Sequence, residues 1–414
     1  MQAVEQAKHV SNPEAKTKTA YRILLLIGFV HLLNDAIQAL VPAMFPILQQ
    51  SMGLTFTELG LIAFALNLTA SLIQPAVGLY TDRKPSPFAL PIGMCFTFVG
   101  VLGIAFAPSF WFVVLSVTLI GIGSATFHPE GSRVAYMASG GKRGLAQSIY
   151  QVGGNSGQAL APLITAFILV PLGQFGSIWF TLVAGLAILL LIYTAYWYTG
   201  QINHFKVKEK KKTKISKTPE QLTKQKIVLM AICLLIFLVF ARSWFHAGIT
   251  NFYAFYAIEL YNLSIGEAQI YLFIFLAAGA AGTFAGGPLS DRFGKKNILL
   301  LSMLGSAPLS LVLPHVGSIL AYPLIALIGF VILSSFSVAV VYAQELVPGK
   351  VGTVSGLIVG LAFGMGALGS VGLGVLADFI GMTNTMLIIA GLPVIGVLTF
   401  FLPSDQWINK NIPN

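Results

Sequence analysis

Asp35 stands within an apolar stretch, Gly28 to Pro42, that reads GFVHLLNDAIQALVP. His31, Asp35 and Gln38 follow steps of four and three residues, so they share one face of a helix, with Asn34 beside them. A charged group at the centre of a membrane-spanning helix costs about 3 kcal/mol on insertion scales. An acid kept there is expected to face a polar interior and to have a function. Counted from Tyr21 at about 1.5 Å per residue, Asp35 lies roughly 21 Å along its helix, near the middle of a bilayer. Withdrawal from water favours the protonated form of a carboxylic acid, so the chemistry open to Asp35 is to take up and release a proton. The alternatives are a permanent pair that ties its helix to another and a direct contact with a cationic substrate.

Arg242 is the second such residue. Its guanidinium stays charged, and its planar fork matches the oxygens of a phosphonate or a carboxylate. It is read as an anion-binding group or as the fixed partner of Asp35. His246, one turn further on, lines the same cavity or packs as an ordinary hydrogen-bonded histidine. His128, Glu130 and Arg133 lie together around Pro129, where a missing backbone N–H is expected to kink the helix. Glu130 and Arg133 are spaced to pair on one face, and Glu130 is either a second protonation site or a gate partner of Arg83. Gln147, Gln151, Asn155 and Gln158 form a polar stripe, with Gly153, Gly157 and Ala161 on another side for close helix approach. Weaker cavity candidates are Asn67, Gln74, Phe127, Tyr150, Trp244, Tyr253 and Tyr256. Three of the polar residues, His31, His128 and Glu130, lack the spacing of a metal motif, and no metal site is expected.

The elements that must position these groups are membrane helices. The chain has 414 residues, of which 56% are hydrophobic and 9% charged, with a mean hydropathy of +0.83; a soluble domain has roughly 25% charged residues. Continuous apolar runs exclude a β-barrel. Cys95 and Cys233 fall inside such runs and imply neither a disulfide framework nor a zinc site. The polar opening residues contain no signal-peptide core, so the first helix is expected to direct its own insertion. Helices are predicted near 21–48, 58–81, 87–107, 110–137, 143–170, 176–200, 226–257, 267–289, 296–313, 318–344, 352–377 and 384–402. The net charge of +10 comes from Lys and Arg in the tails and alternate loops, among them Arg83, Lys142, Arg292, Lys296 and Lys350. The opposite loops carry none, which by the positive-inside rule puts both termini in the cytoplasm and makes nucleic acid an unneeded partner.

The predicted organisation is a cytoplasmic tail at 1–20, a six-helix bundle at 21–200, a basic linker at 201–225, a second six-helix bundle at 226–403 and a tail at 404–414. The fold class is therefore an all-α membrane protein with twelve transmembrane helices in two bundles. The bundles are related by a weak repeat. Gly78-x-x-x-Asp82-Arg83 recurs as Gly287-x-x-x-Asp291-Arg292 at an offset of 209, and Gly141-Lys142-x-Gly144 recurs as Gly349-Lys350-x-Gly352 at 208. The same offset sets Asn34 against Arg242 and Gln38 against His246, the pattern of a transporter with its site between two related halves. In the second half, Gly352, Gly356, Gly360 and Gly364 recur every fourth residue and suit helices that pack closely and slide.

Gly286 to Lys296, GGPLSDRFGKK, resembles the loop motif of the major facilitator superfamily, and GLYTDRKPSPF is a partial first copy. The Asp and Arg of each copy can pair across the ends of neighbouring helices, which makes Asp82, Arg83, Asp291 and Arg292 gate candidates. Arg133 and Lys295 are added to them, with Glu345 as the partner of Arg292 or Lys295. The run through Pro162 resembles, imperfectly, the antiporter motif of the fifth helix. Ala125 to Tyr136, ATFHPEGSRVAY, with Gly144 to Leu163 and the opening HLLNDAIQALVPAMFPIL, resembles the fosmidomycin resistance protein family of bacterial drug exporters. The resemblance implies a multi-pass protein of the bacterial cytoplasmic membrane, functional as a monomer, that exports a small phosphonate drug in exchange for protons. It implies no cofactor beyond the proton as coupling ion. An importer or exchanger of organic or sugar phosphates would use Arg242 equally well. An enzyme would need a nucleophile or metal constellation that the sequence does not display.

Overall fold

The structure, a computed structural model, describes residues 19–140, 143–202, 219–347 and 351–412, without the side chains of 82, 83, 143, 144, 219–223, 351–357, 359 and 361–363. Among the described residues every regular element is a helix. The long ones are α1 (Tyr21–Ala43), α2 (Phe56–Arg83), α3 (Ala89–Phe106), α4 (Phe110–Ala138), α5 (Arg143–Ile164) and α6 (Trp179–Gln201). The second series comprises α7 (Pro219–Tyr261), α8 (Ile265–Phe293), α9 (Lys295–His315), α10 (Ser318–Leu346), α11 (Val351–Ile380) and α12 (Met382–Gly391). Tighter turns at Leu392–Phe401 extend α12. All except α11 belong to the eleven helices that are long and apolar enough to cross a membrane among the described residues; α11 contributes a shorter apolar helix, Gly364–Ile380.

Several predicted helices are divided for local reasons. The segment 21–48 breaks at Met44 and restarts as Phe45–Met52. Pro46 has no N–H for the Pro42 carbonyl, and its ring crowds that turn. Residues 296–313 are interrupted at Gly305, three residues before Pro308, and residues 318–344 at Ser334. There the Ser334 and Ser335 hydroxyls donate to the carbonyls of Val331 and Ile332, at 2.7 and 3.2 Å, in competition with the backbone ladder. Helix α4 runs unbroken through Pro129.

The repeat extends beyond the loop motifs. Thr55 and Glu58 form a capping box at the start of α2, and Ser264 and Glu267 form one at the start of α8, again 209 residues away. Within the first half, α1 packs on α4, α5 and α6; within the second, α7 packs on α8, α11 and α12. The halves meet where α2 lies on α11 and α5 on α8. Glycine permits the closest approaches. A Cβ at Gly153 would lie 2.0 Å from the Gly28 carbonyl oxygen and one at Gly157 2.2 Å from that of Leu32, so α5 can press against α1 only with hydrogen at these positions.

One end of the interface is sealed by capping. The Asp378 carboxylate, at the end of α11, accepts the backbone N–H groups of Phe56 and Thr57 at 2.9 and 2.7 Å and so caps α2 from the other half. Gln269 donates to the Ala43 carbonyl at 2.9 Å, and Phe56 meets Phe255 edge-on with ring centres 5.1 Å apart.

Gly153→Leu should overpack the α1–α5 seam at a cost of about 1–3 kcal/mol, lowering the melting temperature and the monodisperse yield in detergent. Gly185→Ala is the control and should be neutral or stabilising, because nothing lies within 4 Å of its added Cβ. Equal behaviour of the two variants would contradict the packing described. Asp378→Ala should loosen the sealed end. Spin labels at the exposed positions Gln50 and Glu259 should then show a longer distance distribution than in the parent protein.

Candidate functional site

Asp35 is 3% exposed in the interior of the first half, and its two oxygens have different partners. Oδ2 accepts the Gln158 amide of α5 at 3.0 Å. Oδ1 accepts Asn34 Nδ2 at 3.0 Å and lies 3.4 Å from the Gln38 amide, from His31 Nε2 and from His128 Nε2. The shared face of α1 explains His31 and Gln38. His128 arrives from α4, and Gln158 is brought in by the glycine seam between α1 and α5.

The geometry determines which ring nitrogens carry hydrogen. His31 Nδ1 lies 2.7 Å from the Tyr150 carbonyl oxygen and His128 Nδ1 lies 2.9 Å from that of Ser124. Carbonyls only accept, so both Nδ1 atoms are donors and both Nε2 atoms hold a lone pair whenever the rings are neutral. Two such lone pairs and an ionised carboxylate oxygen converge, and convergent acceptors require a cation among them. A proton on either Nε2 makes that imidazolium a donor to Asp35. The His31 ring is held by Tyr150, stacked at 4.0 Å, and by the edge of His128 at 5.2 Å. Sequence reasoning had placed Tyr150 only as a cavity wall; its spacing from the polar stripe gives no sign of this stack.

Glu130 belongs to a neighbouring cluster. It is fully buried, accepts the Tyr198 hydroxyl of α6 at 3.1 Å and lies 3.4 Å from Arg133 Nε. Arg133 also donates to the Thr81 carbonyl near the end of α2. The expected Glu130–Arg133 pair therefore forms, and it joins α4 to α2 and α6. Tyr198 was not anticipated, since nothing in the sequence relates α6 to position 130. The side chains of Asp82 and Arg83 lie outside the described residues, and Lys142 and Lys350 lie outside them altogether.

Arg242 is 5% exposed and donates to Ser335 Oγ at 3.3 Å, with its guanidinium carbon 5.0 Å above the Phe336 ring. Around it are Leu238, Val239, Met303 and Ala339. The pairing with Asp35 considered above does not form: among the described residues no carboxylate lies within ion-pair distance of Arg242. The Arg242 side chain turns toward α10 and its own half, and its charge has no counter-ion among the described residues. His246 packs against Phe275 at 5.8 Å. Trp244 lies in the small-residue groove of α11 at Gly369, where a Cβ would come within 2.9 Å of the indole. Tyr253 is fully buried in an aromatic cluster with Tyr256 and Tyr271. In the α5 stripe Gln147 donates to Ser132 of α4, Gln158 to Asp35, Asn155 is half-buried and Gln151 is exposed.

Of the gate candidates in the second half, Lys295 pairs with Glu345 at 2.9 Å, while Asp291 is exposed and Arg292 lies over the Phe293 ring at 5.2 Å. Asp405, which sequence reasoning passed over, accepts the backbone N–H groups of Lys295 and Lys296 and caps α9.

The profile of the Major Facilitator Superfamily matches residues 24–370. An uncharacterized MFS-type transporter of Bacillus subtilis (strain 168), YfnC, is 61% identical over 392 residues, covering 95% of each chain. The fosmidomycin resistance protein of Escherichia coli (strain K12) is 46% identical over 405 residues, covering 97% of this chain and 98% of its own. In fold the chain is similar to a bacterial homologue of the human lysosomal transporter Spinster in an inward-facing, occupied conformation. The TM-score is 0.77 at 16% identity, over 96% of this chain and 99% of that one. A polytopic helical chain, a charged site buried between helices and full-length similarity to membrane transporters agree: the protein is a transporter, not an enzyme, and belongs to the major facilitator superfamily.

Proposed function

We propose that the protein is a proton-coupled antiporter of the bacterial cytoplasmic membrane. In this reading it has twelve spans and cytoplasmic termini, and it exports a small anionic drug of the phosphonate class by alternating access. The observation that carries the proton-coupled part is the convergence of His31 Nε2, His128 Nε2 and Asp35 Oδ1, which leaves a buried place for a proton that three side chains share. With the proton present, Asp35 is held by one imidazolium donor, from His31 or from His128. Without it, three acceptors repel, and α1, α4 and α5 are pushed toward another packing. Proton exchange thus acts on helix arrangement through one local charge. A membrane potential adds about 2.3 kcal/mol per charge per 100 mV to inward proton movement.

The substrate part rests on Arg242. A buried cation without a counter-ion costs several kcal/mol, a cost that an anionic substrate offsets by bidentate binding. The 46% identical fosmidomycin resistance protein supports a phosphonate as the anion. The positive-inside rule puts the end sealed by Asp378 at the outer face, so the conformation described here is closed to the outside. Glu130, Arg133, Lys295 and Glu345, together with Asp82, Arg83, Asp291 and Arg292, serve the gates at the opposite end.

Asp35→Asn should abolish uphill, proton-driven efflux in proteoliposomes while substrate counterflow without a pH gradient persists. Undiminished uphill transport by that variant would sink the coupling scheme. Arg242→Ala should weaken binding of fosmidomycin about 10- to 100-fold, the loss of a charge-assisted hydrogen bond worth about 1.5–3 kcal/mol, and Arg242→Lys should restore only part of it. Unchanged affinity in both variants would remove the anion site. Import of an organic phosphate, the second use open to Arg242, would appear in the same assay as accumulation driven in the opposite direction.

A further inference from the structure

We propose that His31, His128 and Asp35 form a binding site for a divalent transition-metal ion of the zinc class, a ligand distinct from both proton and drug. The sequence argues against a metal at His31, His128 and Glu130, because it shows neither an HExxH-type spacing nor a cysteine cluster. The fold removes that objection. The ligand atoms of the three residues all lie within 4.8 Å of one another, and Asp35 Oδ1 is 3.4 Å from each Nε2. Zinc bonds nitrogen and carboxylate oxygen at about 2.0–2.1 Å, and ligands at two corners of such a tetrahedron are about 3.3–3.4 Å apart. Both carboxylate–imidazole separations therefore match a tetrahedral edge.

Three further features belong to metal sites rather than to packed histidines. Each imidazole spends Nδ1–H on a backbone carbonyl, the outer contact that orients a metal-binding histidine and leaves Nε2 free to bind. The Gln158 amide holds Oδ2 and leaves Oδ1 as the ligand oxygen, to which Asn34 and Gln38 also donate. Gly154 lets α5 pack directly on the cluster: a Cβ there would lie 2.6 Å from His31 Nε2 and 2.8 Å from Asp35 Oδ2 and would crowd both. His31 Nε2 is buried without a hydrogen-bond partner, whereas the His128 side chain is 23% exposed and offers the way in. Two imidazoles and one carboxylate favour Zn²⁺, Co²⁺ or Ni²⁺ over Mg²⁺ or Ca²⁺, which need more oxygen ligands. The fourth position is open to water or an anionic oxygen.

The test uses the full-length chain in detergent, stripped of metal by a chelator that is then removed. Titration with Zn²⁺ against a chromophoric chelator should show one tight site per chain, and Co²⁺ should give the visible bands of tetrahedral coordination; Mg²⁺ should not compete. His128→Gln and Asp35→Asn, accepted only if they elute as monodisperse protein, should each weaken Zn²⁺ at least about tenfold. A chain with His9, His204 and His315 changed to Gln should keep full binding. The proposal is overturned if Zn²⁺ does not bind, if Co²⁺ gives only octahedral spectra, or if binding survives His128→Gln and Asp35→Asn but disappears with the other three histidines. None of these readouts depends on transport, so the proton-coupled reading stands or falls separately.

Discussion

Two imidazole nitrogens and one carboxylate oxygen face one another where water is scarce, and all three are acceptors unless a cation stands among them. Much of the first half is arranged to keep them so. Backbone carbonyls of Tyr150 and Ser124 hold the rings by Nδ1. Tyr150 stacks on one ring, and the glycines of α5 let that helix come close enough for Gln158 to reach Asp35. Bilayer interiors offer no solvent to repair an unmet polar group, so each of these contacts is needed for the charge to be tolerated at all.

The two halves share a frame and differ in chemistry. Capping boxes at Thr55 and Ser264, and the loop motifs that end α2 and α8, recur at one offset. Yet the first half buries two imidazoles beside a carboxylate, whereas the second buries Arg242, a guanidinium that keeps its charge. A permanent cation cannot report a proton gradient, and a titrating cluster is a poor fixed anchor for an anion. Under the proposed function, keeping the cluster and the cation in separate bundles lets each be placed without the other neutralising it, so the separation of Asp35 from Arg242 is part of that proposal.

The contacts at the two ends differ in kind. At one, a carboxylate from α11 caps the start of α2, and an amide from α8 holds the end of α1. At the other, Lys295 pairs with Glu345, and Arg133 ties α4 to α2. Ion pairs near the surface, such as the half-buried Lys295–Glu345, contribute about 0–1 kcal/mol each, and a cap is of similar size. Such contacts hold an arrangement without fixing it, which suits the alternating access proposed above.

Local periodicity made much of this legible. His31, Asp35 and Gln38 on one face, the Glu130–Arg133 pair, the glycine stripe of α5 and the helical, membrane-spanning class all follow from residue types at helical spacing in an apolar chain. Even the breaks at Met44 and Gly305 are written in nearby prolines, although a hydropathy window passes over them. What spacing cannot supply is contact between helices far apart in sequence. That His128 meets Asp35, that Tyr198 satisfies Glu130, that Asp378 caps α2 and that Arg242 turns to Ser335 depend on how helices rotate and cross. Those rotations are set by the sum of many small packing contacts, glycine against carbonyl above all, and no short stretch of sequence contains that sum.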